Sequence, residues 1–226
     1  MNYTFHFGVI WQDWPKLLDG VLATLYFASI SMLIGLVIAI AGAATLRFGP
    51  RWARVPVKCY VELFRNTPLV VQLFFIYFGL PSLGVGLEAG TAAIIGLTLN
   101  FAAYCVEIIR SGTLAVPKGL LEAGYSLGLR KLQVFFLIVL RPALIVSFPA
   151  LSSQIIVLLL ATSVISIISA DELTAIAGSI QSRTFRSFEI YIVILVIYLG
   201  LSSIFKVALR VFYDRFIAFE PEQYEA

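Results

Sequence analysis

The sequence predicts an all-α integral membrane protein with five transmembrane helices. Its 226 residues are 60% hydrophobic and 13% charged, with a mean hydropathy of +0.96. A soluble domain usually carries about 25% charged residues, so the surface of this chain is too apolar to face water. Two further observations support the same fold class: long uncharged runs, and basic residues concentrated between alternate runs.

Five uncharged runs provide the candidate helices. A helix needs about 20 apolar residues to cross a hydrocarbon layer of roughly 30 Å, and lipid offers no partner for exposed backbone amides. Five crossings also place the two termini on opposite sides of the membrane. The runs cover residues 20–46, 66–87, 89–106, 142–170 and 190–205.

The basic residues predict the orientation of these helices. Twelve of the 16 Lys and Arg residues fall in 47–66, in 110–133 or in the C-terminal end from Lys206. Because cytoplasmic segments carry an excess of Lys and Arg, the N-terminus is predicted to be periplasmic and the C-terminus cytoplasmic. The same bias accounts for the net charge of +3 and gives no reason to invoke nucleic acid.

Residues 1–19 are predicted to lie in the outer membrane interface. They lack the basic start and small-residue cleavage site of a secretory leader, and Trp11 and Trp14 are residues typical of that interface. Residues 20–215 are predicted to form the transmembrane domain, and 216–226 a tail. Inside the domain we expect helices at 20–46, from Pro68 to about Pro81, from 91 to about 110, at 132–147 with a kink and continuation at 150–168, and at 189–213. They are separated by a basic loop at 47–66, a cytoplasmic loop at 110–133 and a polar outer loop at 169–188.

The loop at 110–133 is predicted to contain a short amphipathic helix. It follows Pro117, and Leu120, Ala123 and Leu127 recur at helical spacing. Gly128 is predicted to end the helix, because glycine takes positive φ readily. A helix this short is marginal alone in water. Its apolar face therefore predicts a partner surface, either the membrane interface or another protein.

A spaced motif occupies the same loop. Glu122-Ala123-Gly124 is followed by Gly128 at plus six, and by Ile138 and Leu140 at plus sixteen and plus eighteen. This pattern resembles the EAA signature of ABC-importer permeases, which reads E-A-A, three residues, G, nine residues, I-x-L-P. Other stretches resemble the polar amino acid uptake branch, the permeases similar to those for histidine, glutamine and arginine. These stretches are residues 60–69 with Gln72, Ala103-Tyr104 with Glu107, Arg110-Ser111-Gly112, residues 116–119, and Thr162-Ser163 with Glu172-Leu173.

The resemblance implies a type I ABC importer transmembrane fold in the bacterial inner membrane. Two permease subunits, identical or distinct, would form the solute pathway, and a periplasmic substrate-binding protein would deliver the solute. Two ATP-binding cassette subunits would bind ATP and Mg²⁺ and hydrolyse ATP, so this chain is expected to be no enzyme and to hold no cofactor. The coupling residues that the resemblance implies are Glu122, Ala123, Gly124 and Gly128.

The chain also departs from the family pattern. Gly124 replaces the third motif residue, Ala, and Arg141 replaces the expected Pro, which comes one place later. Leu120 stands where this branch usually has Gln. Leu160 stands where a Lys is common two residues before the Thr-Ser pair. The last departure weakens any transfer of solute contacts and favours pairing with a different permease that supplies them.

Polar residues inside apolar helices are the candidates for the solute pathway, because such groups usually face a bundle interior or a cavity. The alternative is interhelical hydrogen bonding, which stabilises by about 0.6 kcal/mol on average. Glu107 and Arg110 are expected to form an interfacial ion pair. Arg141 is expected to reach the cytoplasmic interface, or to pair with a carboxylate. The pathway candidates are Gln72, Asn100, Gln154, Thr162 and Ser163.

Each alternative to a permease requires features that this sequence lacks, or leaves the motif spacing unexplained. A channel or secondary transporter is the main alternative, but no helix has an acidic residue near its centre for a proton relay. A structural membrane protein would not need the long motif spacing. The sequence contains no catalytic motif of an intramembrane enzyme. The single histidine, His6, is too little for an imidazole metal site, and Cys59 and Cys105 are expected to be free thiols.

Overall fold

The computed structural model describes residues 5–217, apart from the side chains of residues 9, 216 and 217, and all regular elements in that part of the chain are helical. The predicted tail at 216–226 falls almost wholly outside the described residues. In chain order the helices are α1 (Gly8–Gln12), α2 (Trp14–Phe48), α3 (Arg51–Arg65), α4 (Leu69–Leu83), α5 (Ala89–Ala115), α6 (Lys118–Ser126), α7 (Lys131–Ile168), α8 (Leu173–Thr184) and α9 (Ser187–Arg215).

Four helices, α2, α5, α7 and α9, are each long and apolar enough to cross a membrane. The helices α3 and α4 form a broken pair whose axes differ by 110°. The chain is therefore a multi-pass helical protein, and its five predicted crossings correspond to four long helices and one broken pair. At a rise of 1.5 Å per residue, the 38 residues of α7 extend about 57 Å, well beyond the hydrocarbon layer.

The predicted loop at 47–66 is wrong, because residues 51–65 form α3. Charge and proline content suggested a loop, yet the apolar residues of this stretch recur at helical spacing. Val57, Tyr60 and Val61 pack into the main core, whereas the basic residues remain exposed. Pro50 precedes the first turn, where its missing N–H costs nothing.

Helix α5 is the most buried of the long helices and packs between α2 and α7. Small residues allow these close approaches, as expected for helices packing in a membrane. A Cβ added at Gly35 would meet the ring of Phe101, and one at Gly42 would meet Val106. On the other side of α5, a Cβ at Gly112 would meet α7 at Ser147 and Ala143. The close helix contact expected from Gly35 and Gly42 is confirmed.

Helix α7 passes through Pro149 as one α-helical segment from Leu140 to Ala161, so the two helical stretches predicted on either side of a kink are continuous. A membrane helix tolerates proline where neighbouring groups satisfy the freed backbone. The departures from α geometry lie elsewhere in α7. They are a π-helical turn at Phe135–Val139 and a 3₁₀ segment at Thr162–Ile168.

The polar stretch at 169–188 was predicted as a loop, and this is wrong as well, because it contains the 12-residue helix α8. Ser169 ends α7 in the left-handed region at φ 59°, and Glu172 caps α8 through its side chain. Leu173 and Ala177 of α8 pack with Leu17 of α2 in a second apolar cluster. The loop prediction rested on the polar residues of this stretch and did not use its apolar residues, which lie three to four positions apart and predict a helix.

Candidate coupling site and solute pathway

The predicted loop helix is present as α6, at Lys118–Ser126. Pro117 precedes its first turn, and Gly128 follows its last turn at φ +76°. The N–H of Leu129 donates to the carbonyl of Gly124 at 3.2 Å, and the N–H of Gly128 donates to that of Tyr125 at 2.9 Å. This pair of bonds is the Schellman ending, which needs a residue at positive φ. Gly128 therefore ends α6 as predicted.

The inner face of α6 rests on the start of α7. Leu121 and Leu129 pack against a cluster that includes Val134 and Phe135. Between the two leucines, Gly124 is buried, and a Cβ there would come within 2.6 Å of Cδ1 of Ile138. The missing methyl group lets α6 lie directly on α7. The departure of Gly124 from the usual alanine thus has a packing reason in this chain.

The outer face of α6 is exposed and mostly apolar. Leu120 and Leu127 are 44% and 79% exposed, and Ala123 lies between them along the helix. Glu122 is exposed beside this row, and its backbone carbonyl accepts a hydrogen bond from Ser126 Oγ at 3.0 Å. An apolar row with one exposed carboxylate is suited to fit into a partner's cleft, with the carboxylate available to a basic group.

The start of α7 is fixed independently of α6. The side chain of Gln133 accepts a hydrogen bond from the N–H of Arg130 at 2.8 Å, which satisfies a backbone donor ahead of the first turn. The π-helical turn at Phe135–Val139 follows immediately and contacts α6. A displacement of α6 would therefore act on α7 at an irregular turn, a feature frequent at functional sites.

Two pathway candidates, Gln72 and Asn100, lie together. Asn100 Nδ2 donates to Gln72 Oε1 at 3.0 Å. The Gln72 amide nitrogen in turn donates to the carbonyls of Phe64 and Thr67, at 2.9 and 3.0 Å. These carbonyls lie at the end of α3 and in the bend that follows, so the Gln72 amide connects the two halves of the broken pair to α5.

The remaining candidates lie along α7. Thr162 is fully buried, and its hydroxyl donates to the carbonyl of Leu159 at 2.7 Å. Ser163 is half-buried and donates to the carbonyl of Leu160 at 2.8 Å. Gln154 is half-buried two turns earlier. The 3₁₀ segment that holds Thr162 and Ser163 packs against α4 and α5, the helices that carry the Gln72–Asn100 pair.

A cavity of about 480 Å³ lies between the end of α3, α5 and α7. Its polar wall comes from Arg65, Tyr104 and Glu107. The guanidinium of Arg65 lies 5.5 Å from the centre of the Tyr104 ring, and Tyr104 OH donates to the Arg65 carbonyl at 3.3 Å. Arg110 Nε donates to Glu107 at 2.9 Å, so the predicted ion pair is present. Sequence reasoning found the pair but missed the cavity.

Arg141 is exposed on α7. Sequence reasoning offered the interface or a carboxylate such as Glu107 or Glu62 for it. In the structure Glu107 pairs with Arg110, and Glu62 lies 3.5 Å from Lys58 Nζ. Both carboxylates thus have basic partners other than Arg141.

Sequence reasoning missed a buried polar network at the end of the molecule opposite α6. Glu172 is fully buried and accepts hydrogen bonds from the N–H groups of Thr174 and Ala175 and from Tyr198 OH, at 2.8 to 2.9 Å. Burial raises the pKa of this carboxyl, against the lowering effect of the hydrogen bonds. The network therefore joins α8 to α9 through one carboxylate. Its signal in the sequence was Glu172 placed before an apolar helical repeat.

Two further buried carboxylates fasten the N-terminal segment to the same end. Asp13 accepts hydrogen bonds from Lys16 Nζ and Arg183 Nη2, both at 2.9 Å. The hydrogen bond from Lys16, helped by Arg183, lowers the pKa of Asp13 despite its burial. Glu189 accepts from the N–H of His6 at 3.0 Å. Within residues 5–217, no three His, Cys, Asp or Glu side chains lie close enough together to hold a metal ion.

Residues 31–218 match the family described as the binding-protein-dependent transport system inner membrane component. The chain belongs to this family. The EAA-like motif on α6 is thus found in a family for which that motif is typical.

The relatives are permease proteins of similar length. The chain is 33% identical over 208 residues to the glutamine transport system permease protein GlnP of Escherichia coli K12, covering 91% of this chain and 95% of GlnP. It is 36% identical over 207 residues to YckA, a probable amino-acid ABC transporter permease protein of Bacillus subtilis, covering 90% of each chain. It is 35% identical over 205 residues to the octopine transport system permease protein OccM of Rhizobium meliloti, covering 86% of this chain and 83% of OccM.

Solved structures share the fold. A chain of an amino acid ABC transporter crystallised with histidines superposes with a TM-score of 0.85 at 33% identity, covering 94% of this chain and 100% of that one. A chain of the inward-facing MetNI methionine ABC transporter superposes with a TM-score of 0.72 at 23% identity, covering 88% and 94%. The fold is that of a type I ABC importer permease, as the sequence resemblance implied.

Proposed function

We propose that this chain is the permease subunit of an ATP-driven importer for amino acids or related polar solutes in the bacterial inner membrane. The proposal rests on the exposed face of α6, which presents an apolar row and one carboxylate to a partner. Two of the relatives are permease proteins of glutamine and octopine transport systems. Family membership leaves no role for the alternative of a secondary transporter or channel.

The orientation follows from this role. The helix α6 would lie on the cytoplasmic side, where ATP-binding subunits dock, and the basic residues of α3 and of the end of α9 agree with that side. The network of Asp13, Glu172 and Glu189 would then be periplasmic. Residues 1–19 would lie at the outer interface, 20–215 would form the transmembrane domain, and 216–226 would be a cytoplasmic tail.

Two ATP-binding cassette subunits would bind ATP and Mg²⁺ and perform the hydrolysis, while this chain performs no chemistry. Leu120, Ala123 and Leu127 would enter a cleft on one such subunit, and Glu122 would meet a basic group there. When the ATP-bound subunits close, α6 would move as a rigid body and transmit the displacement through the Gly124 contact to α7. The pathway would thereby switch between outward and inward access.

A second permease, identical or distinct, would complete the pathway, and a periplasmic substrate-binding protein would deliver the solute. Gln154 and Ser163 would face the pathway from α7, whereas Thr162, fully buried, would support the pathway wall from behind. Gln72 with Asn100 would fix the bend that borders the pathway. Leu160, where the related permeases commonly have Lys, is 43% exposed beside these residues. A distinct partner permease carrying that cation would supply the missing charge for a solute carboxylate.

Coupling is tested by Glu122→Lys in the complex assembled with its ATP-binding subunits. We expect loss of co-purification, or ATP hydrolysis that continues without uptake, because the reversed charge would repel the basic partner. Glu88→Lys at the opposite end of the molecule is the matched control and should leave uptake unchanged. Normal uptake by Glu122→Lys would remove α6 from the mechanism.

The pathway is tested separately by Gln154→Leu. Uptake of labelled amino acids in the presence of the binding protein should show an altered KM or altered solute preference, while ATP-binding subunits still co-purify. Gln72→Leu should instead lower thermal stability, because four backbone and side-chain groups around the bend would lose this partner. If Gln154→Leu changes stability alone, its role is helix packing.

A further inference from the structure

Helix α3 has three faces with different chemistry. Its buried face carries Val57 and Val61, and Tyr60 OH donates to the carbonyl of Leu99 on α5 at 2.6 Å. A second face carries an exposed apolar row, in which Trp52 and Leu63 are 80% and 60% exposed. The third face carries charge and is also exposed. Because the helical repeat is 3.6 residues, these rows lie about 120° apart around the axis.

The charged face is predominantly basic. Arg51, Arg54, Lys58 and Arg65 follow one another at spacings of three, four and seven residues, which keeps them on one side of the helix. The acidic residue in this row is Glu62, whose carboxylate lies 3.5 Å from Lys58 Nζ. The row thus has a net charge of +3, and all of its residues are exposed.

The direction of α3 places both exposed faces at a membrane boundary. Helix α4 runs alongside the crossing helix α5, as the Gln72–Asn100 bond and the contact of Leu73 with Gly96 show. The axis of α3 is turned by 110° from that of α4. A helix at that angle to a crossing helix lies closer to the membrane plane than to its normal. Its apolar row can then face acyl chains while its basic row faces headgroups.

We propose that α3 is an interfacial helix that binds the headgroups of anionic phospholipids. The basic row meets the phosphates, and the apolar row with Trp52 lies at the boundary of the acyl chains, where indole rings are favoured. A bilayer surface supplies anionic headgroups on one side of an interfacial helix and acyl chains on the other, which suits two exposed rows about 120° apart. In the orientation proposed for the importer, α3 lies in the cytoplasmic leaflet, and this placement rests on the proposed function.

The chain carries its own reporter for this surface. Cys59 is exposed in the apolar row, and Cys105 is buried in the core. A thiol-reactive fluorophore on Cys59 can be followed in nanodiscs that contain the whole complex with cysteine-free ATP-binding subunits. Quenching is compared between brominated phosphatidylglycerol and brominated phosphatidylcholine at equal mole fraction. Cys59→Ser measures the labelling that does not come from α3.

We expect stronger quenching by the anionic lipid, and a preference that weakens with added salt. Each basic residue near an anionic surface changes partition about fivefold. The variant R51Q/R54Q/K58Q should therefore lose the preference while quenching by both lipids persists. K206Q/R210Q/R215Q removes three charges from the end of α9 and should keep the preference, which controls for net charge.

Two results would overturn the proposal. Absence of quenching by either lipid would mean that a second permease or an ATP-binding subunit covers α3. Equal quenching by the two lipids in the unmodified complex would mean that the helix touches the bilayer without selecting headgroups. Neither measurement uses ATP or solute, so a failure of the importer role would be seen separately, in uptake.

Discussion

The two ends of the molecule are built by different means. At one end, Asp13, Glu172 and Glu189 are buried carboxylates with hydrogen-bonding partners on other segments. At the other end, α6 is held by apolar packing on α7, and Glu122 is exposed. A buried charge that loses its partner is strongly destabilising, so the first end resists movement. The second end leaves its polar and apolar groups available to a partner.

This difference fits a device driven from one side. If α6 receives force as proposed, its own end cap at Gly128 and its close contact with α7 at Gly124 let it move as a unit. The proposal then requires the segment at the far end to keep its shape. Five tests of this contrast follow, from the largest expected effect on stability to the smallest.

The largest effect should come from Glu172→Ala. The substitution leaves two backbone N–H groups without their acceptor, and each such buried group costs about 1–3 kcal/mol. Tyr198 OH also loses Glu172 but keeps the hydroxyl of Thr174 at 3.0 Å. We expect the free energy of unfolding in detergent to fall by at least about 2 kcal/mol. An unchanged thermal unfolding curve would mean that the network does not hold α8 to α9.

The next effect should come from Gly124→Ala. The added methyl group meets Cδ1 of Ile138, and overpacking of this kind costs about 1–3 kcal/mol. Uptake should fall together with stability, and the double variant G124A/I138V should recover both, because valine lacks Cδ1. In Gly119→Ala the same methyl group meets nothing within 4 Å, so that control should be neutral or stabilising.

A smaller effect is expected from pH. Burial raises the folded pKa of Glu172 above its ordinary 4.5. Its favourable contribution is therefore complete below that value and is lost as the pH rises through the folded pKa. We expect thermal stability of the unmodified protein to decline over that window, by at most about 1.4 kcal/mol per pH unit. The decline should be absent in Glu172→Gln, and an identical slope in both proteins would assign it to other groups.

Asp13 should give the opposite dependence of stability on pH: its contribution is lost as the pH falls, in a lower pH range. Its folded pKa lies below the ordinary 3.8, so its contribution is present above 3.8 and is lost as the pH falls through the folded value. Comparison of the unmodified protein with Asp13→Asn should show this loss in strongly acidic buffer and no change near neutrality.

The smallest effect on stability should come from Glu122→Ala. An exposed side chain away from special features changes stability by no more than about 0.5 kcal/mol. Uptake should nevertheless fall, because the carboxylate is proposed to meet the ATP-binding subunit. A large loss of stability without loss of uptake would reverse the contrast between the two ends.

The sequence alone determined the four long crossing helices, the short helix α6 and the family. Charge and hydropathy predict which segments cross the membrane, because an unpaired charge inside the hydrocarbon layer is costly. The ending of α6 followed from the backbone freedom of Gly128, and the Glu107–Arg110 pair from spacing along one helix. These are local properties, readable from neighbouring residues.

Tertiary structure decided what depends on distant partners. The basic residues of α3 suggested a loop, because the core face of this helix is recognised only once α5 lies against Val57 and Val61. The reason for glycine at 124 needed Ile138, and the burial of Glu172 needed Tyr198 on another helix. Composition gives the solvent preference of each residue, but only the packed helices show which residues share a partner.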